Sequence, residues 1–124
     1  MRTEVEQLSG DRRFWHVTMT FAGDTHEPDT VKTALVRFAE QHAFLHSLRY
    51  SRERAEVSYW EEADEMHDAA AMALRVWMEH RDSAGLPQWE VVGLEVLERD
   101  TFNRRALDHG VTGLGLRNPE PVPF

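Results

Sequence analysis

The chain has 124 residues, with 22 acidic side chains against 14 basic ones and a formal charge of −8, and is read as one acidic domain with room for one sheet-and-helix core. That field works against a phosphate-binding groove, so nucleic acid is not an expected partner. With no cysteine, disulfides, thiolate metal sites and a cysteine nucleophile are excluded.

Hydrophobic residues make up 41%, including four Trp and six Phe, which favours a packed domain over disorder. The apolar runs are only a few residues long, and Met1-Arg2-Thr3-Glu4 opens no signal-peptide core. A soluble, cytoplasmic protein without membrane contact is expected.

Residues 1–12 are polar and aperiodic, and are read as a flexible lead-in. A single domain is expected over 13–100. Phe14 to Phe21 alternates: Trp15, Val17, Met19 and Phe21 share one face, and Phe14, His16, Thr18 and Thr20 the other. Period two with aromatic and β-branched residues means a half-buried strand. Pro28 and Asp29 then suit a helix start, and Val31, Ala34, Leu35, Phe38, His42 and Leu45 make an apolar stripe that runs to about Phe44.

The period returns to two at His46, with Leu48 and Tyr50 on one strand and Ala55, Val57 and Tyr59 on the next. Ser51 to Arg54 reads as the hairpin between them. A helix through this stretch is the competing reading, weakened because no helical stripe survives from Leu48 to Trp60. Asp64 is the expected N-cap of a second helix, whose stripe is Met66, Ala69, Ala70, Ala73, Val76, Trp77 and His80. Gly85 and Pro87 end it, and Trp89 to Leu97 is the last strand, with Gly93 marking a bulge or a close approach. Residues 101–124, rich in Gly and Pro, are read as an extended tail whose tip, Pro121 to Phe124, is apolar enough to dock, although fraying is the preferred reading.

This order predicts an α+β, ferredoxin-like βαββαβ fold: a four-stranded antiparallel sheet with two helices on one face. The reverse face then carries Phe14, His16, Thr18, Thr20, Arg49, Glu56, Ser58 and Trp60. It is too aromatic for plain solvent and too polar for a core, and a homodimer burying it is the leading expectation.

The stretch Val57-Ser58-Tyr59-Trp60-Glu61-Glu62-Ala63-Asp64-Glu65-Met66-His67 resembles the strand-to-helix junction of dimeric α+β-barrel proteins, which include antibiotic-biosynthesis-type monooxygenases. The resemblance implies two sheets facing each other across a dimer, and a ligand inside that barrel or between sheet and helices. It makes His16, Arg49, Trp60 and His67 the positions to watch. The chain departs from that family in its Gly/Pro tail, and no full catalytic set can be matched, so the link is one of fold.

Each candidate site has a plainer alternative. His42 and His46 have the i, i+4 spacing of metal ligands, but no third ligand is evident and no metal is expected. His67 between Asp64 and Asp68 could be an oriented imidazole; a solvated first helical turn is preferred. The acidic group Glu61, Glu62, Asp64, Glu65 and Asp68 does not converge as a hard cation requires. Gly110-x-x-Gly113-x-Gly115 lacks the context of a phosphate loop. No cofactor motif is present.

His16, Arg49 and Trp60, with Phe14, Thr18 and Ser58 on the same face, could grip an anionic aromatic ligand or anchor an interface, and the interface is preferred. The function expected is a non-catalytic, self-associating module that binds or regulates a protein partner. The alternative is a cofactor-independent enzyme or small-ligand binder, and a third reading, an RNA-stacking sheet, lacks the basic run it needs.

Overall fold

Strict alternation lets β1 (Phe14–Ala22) bury Trp15, Val17, Met19 and Phe21 on one side while it pairs along both edges. β3 (Arg54–Glu62) lies antiparallel on one edge and β4 (Glu90–Glu98) on the other. The computed structural model describes residues 13–42, 45–108 and 120–124. The remaining elements are α1 (Pro28–Gln41), β2 (Leu45–Tyr50), α2 (Met66–Ser83), α3 (Arg99–Asp108) and β5 (Val122–Pro123). Among the described residues no helix is long and apolar enough to cross a membrane. The lead-in over 1–12 and the end of the first helix at Phe44 lie outside the described residues.

This sheet corrects the expected architecture. It has five strands in the order β4-β1-β3-β2-β5, and β5 runs parallel to β2, so the sheet is mixed rather than four-stranded and antiparallel. Among the described residues, three helices accompany it rather than two. The ferredoxin-like assignment is thereby overturned. β5 and all but the first two residues of α3 come from the segment read as an extended tail. Among the described side chains, α3 turns only Phe102 and Ala106 partly inward, too few for a legible stripe, and β5 follows Pro121 and contains Pro123, which sequence reasoning treats as breakers.

α1 and α2 cover the face of Val17 and Met19. From α1, Val31, Ala34, Leu35, Phe38 and Ala39 are buried; from α2, Ala69, Ala73 and Trp77. The alanines bring α2 close enough for Trp77 to stack on Phe21, with ring centroids 3.7 Å apart. Each large side chain so buried contributes about 1.5–3 kcal/mol. Glu65, not Asp64, is the N-cap of α2. Asp64 instead offers its backbone carbonyl to the Arg13 guanidinium at 3.1 Å. Gly85, at φ 72°, closes α2: its left-handed turn lets the Leu86 N–H reach the Arg81 carbonyl at 2.8 Å.

Gly23 is required for a different reason. A Cβ there would overlap the Trp89 indole, which is buried and pinned by its Nε1–H donating to the Asp24 carbonyl at 2.8 Å. Gly23→Ala is therefore expected to cost about 1–3 kcal/mol, the usual range for overpacking. Urea unfolding reads this as a lowered midpoint, and an unchanged midpoint would mean that the indole yields freely.

Candidate functional site

The reverse face of the sheet is covered at its His16 end. α3 lies across it, and the Phe102 ring meets three strands: it stacks on His16 of β1 at 4.0 Å, and contacts Trp60 of β3 at 5.0 Å and His46 of β2 at 5.5 Å edge-on. A homodimer was expected on this face because it looked uncovered, and the chain's own helix removes that reason.

The strand register assembles the cluster. His16 sits directly opposite Trp60 in the β1–β3 ladder, with ring centroids 5.0 Å apart. His46 arrives by an irregularity. Between Leu45 and Ser47 the β2–β3 register slips, which makes His46 an extra residue in the strand. Its Nδ1 lies 2.9 Å from His16 Nε2, so one ring N–H donates a hydrogen bond to the other ring's nitrogen. One step along the same face, Thr18 stands opposite Ser58, whose hydroxyl bonds that of Ser47 at 2.6 Å.

Both rings are held neutral. Burial, and then the neighbouring His46, push the His16 pKa down to about 4; burial lowers that of His46 as well. His16 is only 5% exposed. Two buried polar atoms in the cluster, His16 Nδ1 and Trp60 Nε1, have no hydrogen-bond partner among the described residues. Each such atom costs about 1–3 kcal/mol, so the cluster is not optimised for stability. α3 is anchored mainly by Phe102. Its Arg105–Glu95 ion pair at 3.3 Å is about half exposed on both sides and adds less than about 1 kcal/mol.

The other expected positions fall differently. Phe14 is half-buried at the margin, 5.8 Å beneath the Arg99 guanidinium. Arg49 is not part of the cluster. In register it lies with Glu56 and Thr20, about 13 Å along the strands from His16. There it pairs with Glu56 at 3.6 Å and covers the Phe124 ring at 4.9 Å. His67 sits solvated on the first turn of α2, 3.6 Å from Asp68, across the sheet from α3.

His42 and His46 part company at the end of α1. His42 stacks on Phe38 and meets Tyr59 edge-on on the helix side, whereas His46 faces the reverse side, so the two do not converge on a metal. Among the described residues no group of three or more His, Asp or Glu side chains could hold one. Sequence reasoning missed the site roles of His46 and Phe102. Strict period two puts His46 beside Leu48 on the helix side, and only the register slip moves it.

A further buried polar atom, the Tyr59 hydroxyl, lies on the helix side without a hydrogen-bond partner among the described residues. Burial and the Glu61 carboxylate raise its pKa. Nearby, the Gln41 carboxamide oxygen accepts from the Ser83 hydroxyl at 2.8 Å and lies 3.2 Å from His80 Nδ1, joining the ends of α1 and α2. Those partners are mutually satisfied, so the reverse-face cluster is the stronger candidate.

A mixed five-stranded sheet, with two helices on one face and an aromatic-anchored third helix over a histidine pair on the other, defines a small α+β domain. The chain belongs to the family described as a domain of unknown function, DUF8830, which matches residues 14–112. The match opens on the first residue of β1 and runs through α3, so the covering helix lies within the family's domain. No curated protein matches the chain.

Proposed function

We propose that this protein is a small-ligand binder whose site is the His16–His46–Trp60 cluster, with α3 as its cover. The ligand is a neutral, planar heteroaromatic molecule with a hydrogen-bond donor and an acceptor on its edge. One observation carries this reading. The Phe102 ring already shows that a flat ring fits against His16, yet a hydrocarbon ring leaves His16 Nδ1 and Trp60 Nε1 unsatisfied. A heteroaromatic ring that displaces Phe102 can present an acceptor to the Trp60 Nε1–H and, where its edge rather than its face meets His16, a donor to His16 Nδ1.

The electrostatics support binding rather than proton transfer. A base works best when its pKa lies near the working pH, and an imidazole at about 4 lies well below neutrality. A cationic ligand would find no counter-charge in two neutral rings, and an anionic one would have to bring a proton with it. The self-associating alternative needs this face free, and Phe102 occupies its His16 end.

Benzimidazole, which has both a donor and an acceptor nitrogen, serves as the probe. Titrated at pH 7.5, it is expected to shift the Trp60 indole N–H resonance saturably. Binding should tighten about tenfold in Phe102→Ala, in which the competing ring is gone, and, read from the His16 backbone amide, be lost in Trp60→Phe. Absence of any Trp60 shift in a folded Phe102→Ala chain would remove the proposal.

A further inference from the structure

We infer that the outer edge of β2 is a docking site for an extended segment of a partner protein in which prolines alternate with apolar residues and an aromatic follows, and that residues 120–124 of this chain hold it closed. The site is separate from the histidine cluster and does not depend on the reading given to it.

The occupant shows what the edge accepts. β5 lies parallel to β2, with Val122 opposite Arg49 and Pro123 opposite Tyr50, and the Phe124 N–H donates to the Tyr50 carbonyl at 3.0 Å. Because donors alternate along a strand, the Val122 N–H turns to β2 as well, whereas the nitrogens of Pro121 and Pro123 turn outward. The prolines thus stand where no donor is needed, and their fixed φ lowers the cost of ordering the segment. Pro121 is buried, and the Arg49 guanidinium covers the Phe124 ring at 4.9 Å. Phe124 also borders an open depression of about 580 Å³ lined by Ala22, Gly23, Ser51, Glu53 and Arg54, which gives a longer partner somewhere to go.

The closure is thin. Only two residues of the tail pair with β2, and Val122 and Phe124 each remain 48% exposed. Among the described residues, Leu45 to Leu48 have no strand on this edge. A partner segment that continues along them gains ladder bonds beyond those of β5. A second copy's tail carries the same contacts but lacks the high effective concentration that residues 109–119 confer on the attached one. A foreign, longer segment is the occupant that can win.

The test uses the full chain with Val122→Ser and Phe124→Ala, its fold checked by its amide spectrum, and the peptide Asn-Pro-Glu-Pro-Val-Pro-Phe as probe. The peptide should bind this variant with a Kd under about 1 mM and shift the Arg49, Tyr50 and Ser51 amides. Binding to the intact chain should be at least about tenfold weaker, because its own tail competes. Arg49→Ala in the variant should weaken binding roughly threefold, and the reversed peptide should not bind. Failure to bind the folded variant, or equal affinity for the intact chain, overturns the inference. So does a concentration-dependent dimer of the intact chain that the peptide dissolves, because that assigns the edge to a second copy.

Discussion

Acidification from pH 7.5 to pH 4 is expected to remove about 3 kcal/mol of stability through His16 alone. The unfolded imidazole takes up a proton near pH 6.5, whereas the folded one, buried and beside His46, stays neutral down to about 4. Across that window the unfolded state binds more protons, so stability falls as pH falls; below it both states are charged and the loss levels off. His46, whose pKa is also lowered by burial, adds to the loss in the same direction. Glu61 works the other way, because burial raises its carboxyl pKa and the folded state gains its proton first. The signal is therefore the difference between the chain and His16→Phe, measured by urea unfolding at half-unit steps of pH. The variant should show a much flatter profile, and parallel profiles would mean that the imidazole is not desolvated. For a domain whose whole stability lies in the range of about 5–15 kcal/mol, such a loss is large.

Trp77→Ala should lower the unfolding free energy by about 3–5 kcal/mol, the range for truncating a buried aromatic. The indole is 3% exposed and stacks on Phe21 at the centre of the helix-covered face. Its helical neighbours toward the sheet are Ala69 and Ala73, already too small to move into the space it would leave. The hole therefore stays, and the lost transfer energy and the cavity cost add. Met78→Ala, one residue along but 70% exposed, should change stability by less than about 0.5 kcal/mol. Calorimetry of the two side by side separates the core from the helix surface. Similar losses in both would show that α2 does not pack on the face that buries Trp77.

The residues that were legible in sequence are those whose neighbours along the chain report their surroundings. Trp15, Val17, Met19 and Phe21 alternate because β1 is covered on one side, and Val31, Ala34, Leu35 and Phe38 recur because α1 faces that same cover. Gly93 was read as a bulge or close approach; the register shifts opposite Thr20 and Phe21, and a Cβ there would lie 3.3 Å from Thr20 Cβ. What could not be read depends on partners distant in sequence. α3 is helical without an apolar stripe, because one aromatic ring is enough to seat it. β5 carries a proline, which rules out an interior strand but not an outermost one. Of the candidate site, His16, Ser58 and Trp60 were visible from alternation, as was Thr18. His46 was hidden by a one-residue slip, Phe102 by its place in a supposed tail, and Arg49 was grouped with His16 because a shared face says nothing about distance along it.

The strand order has a consequence for synthesis. β1 is made before the strands it pairs with, and one of its edges pairs with β4, so that Trp15 waits for Glu98 and Ala22 for Glu90. A growing chain can close the hairpin of β2 and β3 early and lay β3 against β1. Until the segment around Leu94 has left the ribosome, the other side of β1 offers bare peptide groups beside Phe21 and Met19. Closing so long a loop is slow, and the interval is one in which nascent chains are open to mispairing. Premature termination before residue 90 should therefore give insoluble product rather than a smaller folded unit.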